Sequence, residues 1–187
     1  TEAAAIDFAH AIRLDPGHAP SLVNFANLLD DMGRHVEAET LHQRLAAIPG
    51  QEAPADWNRS LSLLRRGQFA TGWPLYESRW TAPAFTSYRL DTHKPRWDTT
   101  RRHDVVLAWG EQGIGDEIMF ASMLPDLAAA CGRVIVATEK RLAPLIGRSF
   151  PSLRVIPREE AAAARFDSHV PFGSLGQFFR TASGSFP

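Results

Sequence analysis

The sequence predicts an α plus α/β protein in which helical hairpins come first and a parallel α/β segment follows. Two glycines, Gly33 and Gly67, are 34 residues apart, and each follows one helical pattern and precedes another. A period of that length is typical of a helical repeat. Beyond His103, short apolar runs alternate with helical patterns, which indicates a parallel sheet with helices on its faces. A glycine-rich turn joins the first apolar run to a helix, and ligands of open α/β sheets bind at such an edge.

The composition is that of an ordinary globular protein and narrows the classes of partner. Among 187 residues, 20 Lys and Arg stand against 21 Asp and Glu, a net charge of -1 that favours no nucleic-acid partner. No apolar run approaches the roughly 20 residues of a membrane helix, and the single Cys131 cannot form an intramolecular disulfide. The seven histidines show no metal-ligand spacing. We therefore expect a cytoplasmic protein with no metal site.

The 34-residue period covers the first eighty residues. At this spacing the chain resembles the tetratricopeptide family: residues 3–16 resemble the second helix of one repeat, 22–49 a full repeat, and 57–80 a third, degenerate copy. Pro74 predicts that the second helix of the last copy starts near Trp73. The predicted repeat segment is 1–80. The same offset aligns Ala4 with Ala38 and Gly72, where small residues permit close helix crossing, and Phe8 with His42 and Tyr76.

Two asparagines, Asn24 and Asn58, occupy the same repeat position on the first helix of successive units. A column of amides can hydrogen-bond an extended peptide backbone without selecting its sequence. The alternative is that both are solvated helix residues. The repeats predict a protein or glycan acceptor as partner.

Residues 81–103 contain prolines, threonines and no steady period, which predicts an ordered linker between domains. Its aromatic residues are too apolar for a free tether, so we expect them to pin it against one or both neighbours. The α/β segment then spans 104–187. Its predicted strands are 105–109, 133–138, 153–156 and 166–171, and its predicted helices are 116–131, 140–148 and 174–180.

The turn after the first strand reads GEQGIGD from Gly110 to Asp116. It lacks the spacing of a dinucleotide fingerprint and the Lys and Ser or Thr of a phosphate loop. Three carboxylates, Glu111, Asp116 and Glu117, are predicted to crowd the helix N-terminus, where they would compete with a pyrophosphate. Asp116 can act as general base toward a hydroxyl nucleophile, or it can simply cap the helix.

Residues 57–187 resemble the amino-terminal half of two-domain (GT-B) glycosyltransferases, and the α/β segment is then Rossmann-like. The resemblance rests on four stretches in order: 57–61 (WNRSL), 72–80 (GWPLYESRW), 111–116 (EQGIGD) and 166–175 (FDSHVPFGSL). It is most like the heptosyltransferase-like group fused to tetratricopeptide repeats, and more distantly similar to the protein O-linked N-acetylglucosamine transferases. In heptosyltransferases the Asp of the matching Gly-Asp pair is the catalytic base, which implies that role for Asp116.

The resemblance also implies that the two domains bind different substrates. In that family the amino-terminal domain presents the acceptor, and the carboxyl-terminal domain holds most of the nucleotide sugar, the donor substrate. We expect Gln112, Gly113 and Gly115 to contact substrate, no cofactor to bind this part of the protein, and the 187-residue chain alone to be inactive.

Two other classes of function compete with a glycosyltransferase. The chain could be a non-catalytic tetratricopeptide scaffold, whereas an oxidoreductase is disfavoured by the acidic turn and its glycine spacing. The chain starts within a helical pattern and stops at Pro187 without an evident end, so we expect a longer parent protein. A reading frame that continues for a further α/β domain of about 150 to 200 residues favours the enzyme, and a stop codon favours the scaffold.

Overall fold

A computed structural model of the protein describes residues 2–187; Thr1, the first residue of the predicted 1–80 segment, lies outside it. The chain divides into two compact units, residues up to 86 with 182–186, and residues 87–181. No helix in the described range is long and apolar enough to cross a membrane. The helices are α1 Glu2–Leu14, α2 Ala19–Asp31, α3 His35–Ala46, α4 Glu52–Arg65, α5 Phe69–Tyr76, α6 Ile114–Ala121, α7 Leu124–Ala130, α8 Ala143–Ser149 and α9 Gly176–Phe179, and the strands are β1 Val105–Trp109, β2 Arg133–Thr138, β3 Arg154–Pro157 and β4 Ser168–Pro171.

The first unit is helical, and its helices pack in sequence order, each against the next from α1 to α5. The core lies between α2 and α3. The side chains of this core recur at intervals of three or four residues, so that each helix presents one apolar stripe to its neighbour. The fully or almost fully buried members are Leu22, Ala26 and Leu29 on α2 and Ala38, Leu41 and Leu45 on α3.

Gly33 and Gly67 close α2 and α4 in the same way. Their φ angles are +76° and +72°, in the left-handed region that glycine adopts without strain. The residue after each glycine donates its N–H back to the helix, Arg34 to the Leu29 carbonyl at 2.8 Å and Gln68 to the Leu63 carbonyl at 2.9 Å. The 34-residue spacing therefore marks a repeated helix-ending turn, the left-handed cap described for helix C-termini.

The helix α5 crosses α4 closely at Gly72. A Cβ atom there would lie 2.8 Å from the Leu64 Cδ2 atom, so only glycine fits. The helix starts at Phe69 and continues through Pro74, and the prediction that it would start near Trp73 is wrong. Pro74 is exposed, as is Ala70 four residues earlier, so the carbonyl that loses its hydrogen bond can be solvated.

The second unit contains a four-stranded parallel sheet in the order β3-β2-β1-β4. β1 is therefore an interior strand, and its apolar side chains from Val106 onward are buried. The predicted strands 105–109 and 133–138 are confirmed at both ends. The combination of packed helices with a parallel sheet confirms the α plus α/β class.

One predicted helix of the second unit is wrong. The chain from 116 to 131 forms two helices, α6 and α7, separated at Ser122 and Met123. Pro125 has no N–H to donate to the carbonyl of Ala121, which interrupts the hydrogen-bond ladder. The Ser122 hydroxyl instead donates to the Met119 carbonyl at 2.7 Å and closes the first helix.

Part of the predicted linker extends the sheet edge. The Trp97 N–H donates to the His169 carbonyl at 2.8 Å, and the His169 N–H donates to the Pro95 carbonyl at 3.0 Å. The Trp97 ring is buried and packs edge-on against Phe178, with ring centroids 5.1 Å apart. This segment therefore covers the otherwise open side of β4.

Candidate functional site

The glycine turn begins at the carboxyl end of β1, between the ends of β2 and β4. Gly113 caps α6, which starts at Ile114, so Asp116 is the third residue of the helix. The Asp116 Oδ2 atom accepts the Gly113 N–H at 3.2 Å. The capping interaction that the sequence offered as the simpler alternative is therefore present.

The Asp116 side chain is only partly buried, and its Oδ1 atom receives no hydrogen bond from any residue that the structure describes. A carboxylate held by one oxygen and open at the other can accept a hydroxyl proton. The cap and the proposed base role thus use different oxygens of one side chain.

Glu111 ties the turn to the segment after β4. Its side chain is buried, and its Oε1 atom accepts the Gly173 N–H at 3.0 Å. Gly173 belongs to a short 3-10 helix, Phe172–Ser174, that packs against α6. This contact fixes the first half of the turn.

Glu117 is buried and fixes the second half. Its Oε2 atom accepts the Thr138 hydroxyl at 2.5 Å and the Glu139 N–H at 3.1 Å. Its Oε1 atom pairs with the Arg158 guanidinium. Glu117 is in the first turn of α6, as expected, but its carboxylate binds the end of β2 and a residue after β3, so it is not open to a ligand.

No pattern in the sequence indicates the ion pair between Glu117 and Arg158, which are 41 positions apart. The contact with Thr138 could have been anticipated. β1 and β2 run parallel with Trp109 beside Ala137, so the residue after Ala137 must lie at the same sheet edge as the turn. Arg158 also approaches the Tyr88 ring, at 5.1 Å from its centroid.

His169, on β4, is packed and hydrogen-bonded within the second unit. It is buried, and its Nδ1 atom accepts the Trp109 Nε1–H at 3.0 Å. Burial lowers the pKa of His169 to about 4, the charge of Arg96 acts in the same direction, and the backbone of Lys94 opposes both. The ring is neutral near pH 7, with its proton on Nε2.

The residues expected to contact substrate lie on the outside of the turn. Gln112 is partly exposed, and Gly113 and Gly115 are exposed. A Cβ atom on Gly115 would meet nothing within 4 Å, so the protein itself does not require glycine there. Within the described residues, no group of three or more His, Cys, Asp or Glu is arranged to hold a metal ion.

The two asparagines of the helical unit lie in different surroundings. Asn24 on α2 is exposed, whereas Asn58 on α4 is half-buried and donates its Nδ2–H to the Pro54 carbonyl at 2.8 Å. A groove of about 410 Å³ in this unit is lined by residues of α3, α4 and the start of α5, and neither asparagine is among them.

Comparison with known proteins finds one curated relative and no match to a family model or to a solved structure. The chain is 35% identical over 203 aligned residues to Protein FlbA of Caulobacter vibrioides. The alignment covers 96% of this chain and 34% of FlbA, so the chain spans about a third of that relative's length.

Proposed function

We propose that the chain is the acceptor-side part of a repeat-bearing GT-B glycosyltransferase that transfers a sugar from a nucleotide sugar to a hydroxyl group. In this proposal the helical unit consists of tetratricopeptide repeats that dock a protein or glycan acceptor. The parallel unit is a Rossmann-like half-domain that presents the acceptor hydroxyl. The single cysteine and the nucleotide-sugar donor both fit a cytoplasmic location.

The observation that carries the proposal is the placement of Asp116. Of the three turn carboxylates, Glu111 and Glu117 are buried, and only Asp116 is partly exposed. It lies in the first turn of α6, after the turn that follows interior strand β1, where ligands of open α/β sheets bind. A general base must be within hydrogen-bond reach of the proton it removes, and the partial exposure of the Asp116 carboxylate supports this role because an acceptor hydroxyl can approach it.

The surrounding contacts support a preorganised turn. Glu111 holds one end of it through Gly173, and Glu117 holds the other end through Thr138 and Arg158. Catalytic groups work best when neighbouring contacts fix their positions. The longer relative also leaves room for a donor-binding domain in a protein of this kind.

The test requires the full-length parent protein. We expect it to release nucleotide from one of a panel of donors, namely UDP-N-acetylglucosamine, UDP-glucose, GDP-mannose and ADP-heptose, and to add the sugar mass to an acceptor in cell extract. Asp116→Asn should abolish transfer and leave the fold intact, because the Asn carbonyl can still accept the Gly113 N–H. Asp91→Asn, at an exposed carboxylate in the same unit, is the matched control and should remain active.

The second candidate is a non-catalytic scaffold, and the cap that Asp116 forms with Gly113 is the observation that favours it. A scaffold predicts no turnover of any donor and a partner that binds the repeats. Asn24→Ala and Asn58→Ala would then weaken partner capture.

For the enzyme proposal, sugar transfer that continues unchanged in Asp116→Asn would show that Asp116 is not the general base.

A further inference from the structure

A cluster of polar side chains lies buried among α2, α3 and α4. Asp30, His42 and Ser62, one from each helix, are 7%, 1% and 4% exposed. We call these three residues the Asp30 cluster. Buried polar groups normally have hydrogen-bond partners, because burying a polar group without a partner destabilises the folded state.

The central histidine lacks such partners. Neither ring nitrogen of His42 has a hydrogen-bond partner in the part of the chain that the structure describes. Its Nε2 atom lies 3.9 Å from the Asp30 Oδ2 atom, too far for a hydrogen bond. The other Asp30 oxygen, Oδ1, is 2.9 Å from His35 Nδ1. The carboxylate is thus shared between two histidines and bonded to one.

The repeat places aromatic side chains where His42 lies. Phe8 and Tyr76 occupy the same position one period before and after it, at spacings of 34 residues. Phe8 is half-buried, and Tyr76 is 4% exposed. The position therefore accepts a ring of similar size, and only in this repeat is that ring an imidazole.

The charged groups that face His42 come from all three helices. Asp30 on α2 and Glu39 on α3 favour a proton on the ring, whereas Arg59 on α4 and Arg66, the residue after α4, oppose it. Burial is the largest influence, and the net effect holds the pKa of His42 below its ordinary value. Burial alone would raise the pKa of Asp30, but Ser62, His35, Arg66 and His42 together lower it.

We propose that the Asp30 cluster is a pH-sensitive device, in which protonation of His42 on acidification loosens the packing of α2 against α3 and α4. In the packed state the Asp30 Oδ2 atom is 3.9 Å from Nε2, too far to bond a protonated ring, and Arg59 and Arg66 oppose the added charge. An imidazolium at this depth requires water or a displaced helix.

The sign of the pH effect follows from linkage. In an open state His42 takes up its proton near the ordinary value of 6.5, whereas in the packed state it does so only at lower pH. The open state therefore binds more protons as pH falls below about 6.5, and acidification favours it. Asp30, with its lowered pKa, stays charged over this window and loses its contribution only at lower pH.

The experiment is hydrogen exchange with mass spectrometry on the whole chain at pH 7.5 and 5.5, corrected for intrinsic exchange rates. Peptides from α2, α3 and α4 should lose protection at pH 5.5, by at most about tenfold, because pH 5.5 is one unit below the ordinary pKa of 6.5. His42→Phe should keep its protection at both values, while the matched control His10→Gln, an exposed histidine on α1, should respond like wild type. Equal pH responses in wild type and His42→Phe would overturn the proposal.

A second measurement keeps the proposal testable if His42→Phe fails to fold. The imidazole of His42 in the wild-type chain can be titrated by nitrogen-15 NMR. We expect the ring to be neutral in the packed form. On acidification, the protonated ring should appear together with the loss of side-chain contacts between α2 and α3. A ring that gains its proton with those contacts intact rules the device out.

Discussion

A Cβ atom on Gly110 would lie 2.3 Å from the carboxyl carbon of Glu117, so these two residues fit together only because Gly110 has no side chain. The carboxylate cannot easily move away, because Thr138, Glu139 and Arg158 hold it from the other side. The first glycine of the turn is therefore required by a buried charge of α6, and the path of the turn depends on that charge.

We expect Gly110→Ala to destabilise the second unit by about 1–3 kcal/mol, the usual cost of overpacking a filled core. The midpoint of urea unfolding measures the loss. Gly115→Ala is the matched control, because its Cβ meets nothing within 4 Å, and it should leave the midpoint nearly unchanged. Equal midpoints for the two variants would show that Glu117 can move aside.

Replacing Arg158 should lower the free energy of unfolding more than replacing an exposed arginine. Arg158→Met leaves the Glu117 carboxylate buried without its cation, and breaking such a pair costs about 3–5 kcal/mol. The double variant Glu117→Gln with Arg158→Met should recover part of that loss, because no isolated charge remains. Urea unfolding of both variants gives the comparison.

The control for Arg158 is Arg141→Met. Arg141 pairs with Glu139 at 3.0 Å, but its side chain is 75% exposed, and exposed pairs contribute only about 0–1 kcal/mol. If the Arg158 and Arg141 variants unfold at the same urea concentration, the buried pair is not a stabilising clamp.

Gly33→Ala and Gly67→Ala should each destabilise the helical unit by about 1–2 kcal/mol, because an L residue with a positive φ is strained by roughly that amount. Hydrogen exchange localises the loss to the helices that each glycine ends. Gly184→Ala, at a glycine without a positive φ and with open space around it, should show no change. A similar loss in all three variants would contradict a specific role for the left-handed turns.

Gly33 and Gly67 also show which features of the fold can be predicted from the sequence. The period of Gly33 and Gly67 could be recognised because a left-handed helix end selects glycine each time. The buried strands β1 and β2 were visible because both faces of an interior parallel strand must be apolar. Contacts such as Glu117 with Arg158 could not be predicted, because they depend on tertiary packing between distant segments.

Two predicted helix bounds are wrong near a proline, at Pro74 and at Pro125. The structure shows an exposed position for Pro74 and a helix break before Pro125. Pro74 was expected to delay α5, yet the helix runs through it at an exposed position. The predicted helix 116–131 runs through Pro125, yet α6 ends at Ala121, before this proline. Sequence pattern alone does not show whether water can reach the carbonyl that a proline leaves unbonded.

Cys131 should react slowly with alkylating reagents. Burial raises the pKa of the Cys131 thiol to about 11 from an ordinary value of 9.0, and only the thiolate reacts. At pH 8 the folded chain should therefore alkylate about a hundredfold more slowly than the urea-unfolded chain, as measured by mass spectrometry with iodoacetamide. Comparable rates in the two states would mean that the thiol is not shielded.

His169 should stay neutral at pH values where an ordinary histidine is charged. Burial lowers its pKa to about 4 from 6.5, helped by Arg96, and the Trp109 Nε1–H already occupies the Nδ1 lone pair. In the unfolded chain His169 takes up its proton near pH 6.5, but the folded chain does so only near pH 4. Its contribution to stability is therefore lost progressively as pH falls through that window.

The matched variant for His169 is Trp109→Phe, which removes the donor and keeps a buried aromatic ring. Without the indole N–H, a proton on Nδ1 no longer faces another donor, so the pKa of His169 should rise toward its ordinary value. A nitrogen-15 NMR titration of the imidazole measures this shift and also reports whether the neutral ring carries its proton on Nε2. An unchanged titration in Trp109→Phe would assign the lowered pKa to burial and Arg96 alone, and would leave the hydrogen bond a purely structural contact between β1 and β4.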